Sequence, residues 1–206
     1  MDRVIAYVDG FNLYFGMKSM GWRRYYWLDV QQLARQLLRP SQQLVSTKYF
    51  TSRVSATPGD PDKNRRQNTY LEALGTLPDL SIRYGHYLQK RLSCGKCKAT
   101  WETYDEKMTD VNIAVEMMAD AFQDRFDVAL LVSGDSDLSA PVEAVSRLFP
   151  SKRVVVAFPP NRVSKRLQLI ATDSFVIGRR KFALSQLPDE VPKSIGFILR
   201  RPASWH

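Results

Sequence analysis

The sequence predicts an α/β protein with a mostly parallel central sheet and a small inserted hairpin. Three observations predict it. Short apolar runs alternate with segments of helical periodicity, the pattern of strands joined by crossover helices. Two of those runs end alike: Val4 to Val8 gives way to Asp9-Gly10, and Val128 to Val132 to Ser133-Gly134-Asp135. Between them, Lys90 to Tyr104 breaks the rhythm around Cys94-Gly95-Lys96-Cys97, as a hairpin or knuckle inserted in the domain would.

In chain order, Val4 to Val8 is strand one, followed by a short helix or loop from Phe11 to Gly21 and the aromatic-basic cluster Trp22 to Trp27. Asp29 is placed to cap a helix through Leu38, with Val30, Leu33, Ala34, Leu37 and Leu38 on its apolar face and Pro40 beyond its end. β-Branched and aromatic residues from Leu44 to Val54 make strand two. A Pro/Gly turn covers Ser55 to Pro61, and a basic helix runs from Asp62 to Leu74, where Gly75 stops it. Leu80 to Leu88 reads as strand three. After the hairpin, Val111, Ala114, Val115, Met118, Ala119 and Phe122 form the apolar stripe of a helix with Thr109 as its expected N-cap. Strand four, Val128 to Val132, precedes a helix with Leu138, Val142, Val145, Leu148 and Phe149 near one face. Strand five (Val154 to Phe158), a helix (Ser164 to Ala171) and strand six (Phe175 to Ile177) complete the alternation. Past Arg179-Arg180-Lys181 the periodicity fades. We therefore expect one domain over residues 1–180 and a tail over residues 181–206, packed on it or extending from it.

With 206 residues, 44% of them hydrophobic, the chain can bury one good-sized core. Its 30 Lys+Arg against 21 Asp+Glu leave +9, which favours polyanionic partners, nucleic acid first. No apolar run reaches the ~18 residues of a membrane span, and Asp9 and Asn12 interrupt the first run as no signal peptide would allow. Two cysteines cannot frame a disulfide-rich fold, so a cytoplasmic protein without membrane partners is expected.

Against that basic background stand Asp9, Asp110, Asp135 and Asp137. Hard divalent cations prefer oxygen ligands and keep several waters, so converging carboxylates plus a substrate phosphate make a natural site. Such a metal acidifies a bound water and neutralises charge building on a phosphoryl group. His86 and His206 lie in other segments, which argues for carboxylate-only chemistry. Three of these acids also have an ordinary use. Asp135 or Ser136 can cap the next helix, and Asp110 and Asp137 suit first helical turns. Asp9 has no evident cap to serve. The grouping gains force only if strands one and four are neighbours.

Three blocks carry a family resemblance: Val8-Asp9-Gly10-Phe11-Asn12, Glu106-Lys107-Met108-Thr109-Asp110-Val111 and Leu131-Val132-Ser133-Gly134-Asp135-Ser136-Asp137. In order and spacing they resemble the signature blocks of the NYN domain, part of the PIN-like ribonuclease superfamily that includes the LabA-like proteins. The resemblance runs from about Val4 to Ile177. It implies a three-layer Rossmann-like PIN/NYN fold and a Mg2+ or Mn2+ site of acidic residues that cuts RNA. By it, Asp9, Asp110 and Asp135 would hold the metal, with Asp137 as a further ligand or a positioner of water. Asn12 would orient the scissile phosphate or the attacking water. Glu116 lies where some relatives have another acid, but six residues turn a helix by about 600° and leave it about 120° from Asp110.

The expectation is a metal-dependent ribonuclease acting on RNA, most simply single-stranded. The alternatives are a non-catalytic nucleic-acid-binding regulatory module and a PIN-like nuclease for structured DNA. Lys63, Arg65 and Arg66 are best placed to grip the phosphate backbone, helped by a basic flap that includes Lys90, Arg91, Lys96 and Lys98. The Trp22 to Trp27 cluster offers rings for unpaired bases, although core packing is the expected use of Tyr25 and Trp27. Cys94 and Cys97 are half of a four-ligand zinc site. An ordinary turn is the expected reading there and a structural Zn2+ the alternative. The sequence is compatible with a homo-oligomer.

Overall fold

The computed structural model describes residues 1–57, 59–93, 95–193 and 196–205, without the side chains of 86–92 and 101–107. Its centre is a six-stranded sheet. In chain order the elements are β1 (Asp2–Asp9), α1 (Gly10–Ser19), α2 (Val30–Leu37), β2 (Gln42–Thr51), α3 (Lys63–Leu74) and β3 (Leu80–Tyr84). Then come β4 (His86–Ser93), β5 (Thr100–Lys107), α4 (Thr109–Phe122), β6 (Val128–Val132), α5 (Ser139–Leu148), β7 (Arg153–Phe158), α6 (Lys165–Ile170) and β8 (Asp173–Val176). The chain continues through α7 (Arg179–Ala183), β9 (Glu190–Pro192), β10 (Ile198–Arg200) and a 3-10 turn at Ala203–Trp205.

The sheet order is β3-β2-β1-β6-β7-β8, with every neighbouring pair parallel. Two connected halves therefore run outward from the β1–β6 pair, which is the topological switch point of the sheet. Alternation along the strands builds a core on each face. Val4, Ala6 and Val8 of β1 face the layer of α1, α2 and α3, while Ile5 and Tyr7 face that of α4, α5 and α6. β6 does the same, with Val128, Leu130 and Val132 on one side and Ala129 and Leu131 on the other. Asp29 caps α2, accepting a hydrogen bond from the Gln32 N–H at 2.7 Å.

Three expectations change. The long third strand divides at Gly85 into β3 and β4, and β4 leaves the sheet to pair antiparallel with β5 as the inserted hairpin. Thr109 is the first residue of α4 rather than its cap, because Met108 takes the left-handed conformation (φ 75°) that turns the hairpin into the helix. The apolar stripe of α4 faces outward: Val111, Val115 and Phe122 are 55%, 61% and 81% exposed. The buried face carries Ile113, Met117, Asp120 and Ala121. An aspartate in the middle of the packed face is what disguised it.

Asp120 is buried because it is compensated. Lys48 Nζ of β2 lies 2.5 Å from Asp120 and 2.6 Å from Glu116, and the Tyr7 hydroxyl donates to Asp120 at 2.6 Å. Burial, followed by that bond, pushes the Tyr7 hydroxyl far above its usual range, so it stays a donor. Arg83 also pairs with Glu116, at 2.8 Å. Removing one partner of such a buried pair leaves a charge without its counter-ion, at a cost of about 3–5 kcal/mol. Lys48→Met should lower unfolding free energy in urea by that amount, while Lys48→Met with Asp120→Asn should recover part of it. A loss under about 1 kcal/mol would reduce the cluster to the standing of a surface pair.

Candidate active site

The pairing of β1 with β6 in the register Val8↔Val132 makes Asp9 and Ser133 the next residues on adjacent strands. Their side chains meet: Ser133 Oγ donates to Asp9 Oδ2 at 2.8 Å. The other Asp9 oxygen caps α1, accepting from the Asn12 N–H at 3.0 Å, so the acid does serve the cap that its sequence context hides. Asn12 Oδ1 in turn accepts from the Gly134 N–H at 2.9 Å. Its carbonyl is thereby committed to tying α1 to the β6 turn, leaving the amide nitrogen as its donor. Ser133 Oγ also accepts from the Asp135 N–H at 3.1 Å, and Asp135 Oδ1 from the Asp137 N–H at 3.0 Å. Ser133, which joins Asp9 to Asp135, is not among the residues grouped from the sequence. Its signal is a small hydroxyl residue immediately after a buried strand.

Gly134 is required sterically. A Cβ there would lie 1.7 Å from the Arg162 carbonyl oxygen, inside any allowed contact. The chain from β7 thus packs directly onto the turn that presents Asp135.

The four aspartates differ in depth. Asp9 is 4% exposed, Asp110 and Asp135 are half-buried, and Asp137 is exposed on the rim. Burial pushes the Asp9 carboxyl up to about 6, with the charges of Asp110 and Asp135 adding to it against the Asn12 and Ser133 bonds. Burial also raises Asp110, helped by Asp135 and Asp137. The four therefore share one electrostatic field, although they come from three segments. Among the described residues, no three or more His, Cys, Asp or Glu side chains are grouped to hold one metal ion directly. Asp9 and Asp135 instead turn oxygens to hydroxyl and backbone donors. The donor chemistry, oxygen-only and anionic, fits a hard cation that keeps part of its water shell. Glu116 stands apart in its pairs with Lys48 and Arg83, which outweigh burial and hold its carboxyl below the usual range.

The expected cations are spread out. Lys63 and Arg66 line a pocket beside α1, Arg66 being 2.5 Å from Asp60. Arg65 is 77% exposed and 3.1 Å from Asp62. Lys96, Cys97 and Lys98 are exposed in the turn of the hairpin. Cys94, one of the two cysteines of the zinc reading, lies outside the described residues.

An open parallel α/β sheet with acids at its switch point defines a Rossmann-like protein whose polar groups gather at the carboxyl ends of its central strands. Residues 3–178 match the family model described as the NYN domain, and the chain belongs to that family, within the PIN-like, LabA-like ribonuclease superfamily. The chain is 26% identical to 6-hydroxy-3-succinoylpyridine 3-monooxygenase HspA of Pseudomonas putida (strain DSM 28022 / S16), over 99% of this chain and 75% of that protein. It also resembles the crystal structure of a protein of unknown function, VPA0982 from Vibrio parahaemolyticus RIMD 2210633. That match has a TM-score of 0.56 at 24% identity and covers 90% of this chain and 96% of the other. No helix among the described residues is long and apolar enough to cross a membrane.

The depth of Asp9 has a pH signature in metal-free protein. Its ordinary value is 3.8 and its folded value about 6. Between these the folded state holds a proton that the unfolded chain has released, so stability falls as pH rises through that window, by up to about 3 kcal/mol. Asp9→Asn keeps a carbonyl for the α1 cap and removes the titration. Urea denaturation in EDTA at pH 4.5 and pH 7 should show the variant gaining on the parent at the higher pH. Parallel pH dependence in the two proteins would mean that Asp9 pays no burial penalty.

Proposed function

We propose that the chain is a metal-dependent ribonuclease that hydrolyses RNA phosphodiester bonds at the Asp9, Asp110, Asp135 and Asp137 cleft. The observation that carries this reading is the junction of the two central strands. There Asp9, Ser133 and Asp135 are linked, the charges of Asp110 and Asp135 raise the Asp9 carboxyl, and that of Asp135 raises Asp110. Mg2+ or Mn2+ bound among Asp9, Asp110 and Asp135 would supply an acidified water and neutralise charge on the phosphate. The protein's own groups do the rest. Asp9 is held at the cleft floor by two hydrogen bonds and cannot swing away. Asp137 on the rim is placed to orient water, and the Asn12 amide faces the same turn. Lys63 and Arg66 grip the strand backbone, with Lys96 and Lys98 reaching it from the hairpin.

Asp135→Asn is the decisive variant, because an asparagine carbonyl can still accept the Asp137 N–H. Melting in EDTA should be no lower than the parent's, since a repelling charge is gone. RNA binding in Ca2+ should persist, and cleavage in Mg2+ should fall by about 100-fold or more. Near-parental cleavage would make Asp135 a helix cap and nothing more. Binding should also weaken linearly in log salt, with a slope of about −0.7 per neutralised phosphate on single strands. Salt-independent binding would remove the basic residues from the interface.

A second reading is an enzyme acting on a small heteroaromatic compound, as the name of the Pseudomonas relative says of that protein. The observation favouring it is the ring-lined pocket of about 490 Å3 beside the cleft. Loss of a hydroxypyridine from solutions supplied with dioxygen and an electron donor, with RNA left intact, would favour it over the nuclease.

A further inference from the structure

The pocket between α1, the start of α3 and the C-terminal turn has walls made of rings. Tyr14 and Tyr26 stand 5.0 Å apart between centroids, and Trp205 meets Tyr26 and Tyr70 edge-on at 5.8 and 6.0 Å. Tyr70 is fixed in place by its hydroxyl, which donates to the Leu28 carbonyl at 2.8 Å. Burial, then the neighbouring Tyr14, pushes the Tyr26 hydroxyl up to about 12, so this wall stays uncharged. Rings that merely filled a core would leave no room between them. Here they enclose about 490 Å3, within the ~300–1,000 Å3 of small-molecule sites.

The charge of the lining is one-sided. Lys18, Arg23, Lys63 and Arg66 line the pocket, and among its described lining residues Asp60 is the sole carboxylate. Arg66 holds the Asp60 carboxyl below its usual range by a direct hydrogen bond, and the fields of Lys63 and Arg23 add to that. Arg66 meets Asp60 directly and Lys63 and Arg23 line the same pocket, so three cations stand against one carboxylate. A neutral ring would leave this surplus charge unpaired, and a bare anion would leave the ring walls unused. A ligand with both features satisfies both.

We propose that this pocket binds a planar aromatic ring carrying a negatively charged group, with the ring against the Tyr14, Tyr26 and Trp205 walls and the anion at the Arg23–Lys63–Arg66 corner. Gly10 and Phe11, which directly follow Asp9, form part of its lining, so an occupant would sit next to the acidic cleft. Two sources offer this chemistry: a nucleotide of an RNA strand, and a free heteroaromatic acid.

The test uses intact protein in EDTA, so that it reads binding without turnover and its failure leaves the ribonuclease proposal standing. Two matched pairs are titrated by calorimetry: uridine monophosphate with uridine, and pyridine-3-carboxylate with pyridine-3-carboxamide. The anion of at least one pair should bind at least about 10-fold more tightly than its neutral partner. Lys63→Met should erase that preference, and Tyr14→Leu should weaken whichever anion binds. Lys63 is only half-buried, and thermal melting of each variant confirms that the fold survives. A response confined to uridine monophosphate identifies the strand as source, and one confined to the pyridine acid identifies a free ligand. Neither anion saturating below about 10 mM, equal binding of neutral partners, or an unchanged preference in Lys63→Met would each overturn the proposal.

Discussion

The parallel pairing of β1 with β6 is the constraint on which the site depends. Its register is held at both ends. At the start of the strands the Arg3 N–H and guanidinium bind Asp127 at 2.7 and 2.8 Å, and these bonds pull the Asp127 carboxyl down to about 2. At the carboxyl ends the Asp9–Ser133 and Asn12–Gly134 bonds close the pair. A slip of one residue would turn Val4, Ala6 and Val8 toward the opposite helix layer and carry Asp9 away from Ser133. The hydrophobic alternation that builds the two cores therefore also aims the acids.

Asp110 comes within the field of Asp9 and Asp135 by a different route. It rides on α4, whose position over the sheet is set by the Lys48–Asp120–Tyr7 contact about three turns further along the helix. Nonspecific apolar packing would let a helix slide or rotate. A buried cation that must meet Asp120 and Glu116 together permits far less movement. Met108 completes the placement, since its left-handed backbone reverses the chain between the hairpin and the first turn that carries Asp110.

An acidic cleft in a basic protein is consistent with one electrostatic plan. Asp9 and Asp135 stand at the switch point, while Arg23, Lys63 and Arg66 line the pocket that begins at Gly10 and Phe11. The C-terminal segment joins this plan as well, because Trp205 is buried against Trp27 and Tyr70 and helps wall the pocket.

The sequence by itself determined the α/β class, most strand and helix positions, the Asp29 cap and the three family blocks. These follow from local periodicity and from residues whose chemistry acts on their immediate neighbours. It misread the packed face of α4, because hydropathy counts Asp120 as a solvent residue and only its distant partners Lys48 and Tyr7 make burial affordable. It found no cap for Asp9, since that role depends on α1 beginning at Gly10 immediately after the strand. Strand order, the meeting of Asp9 with Ser133, the fit of Gly134 beneath Arg162 and the ring-walled pocket were decided by tertiary structure alone. Each joins residues far apart along the chain, and no local pattern encodes which strands become neighbours or what lies across the gap.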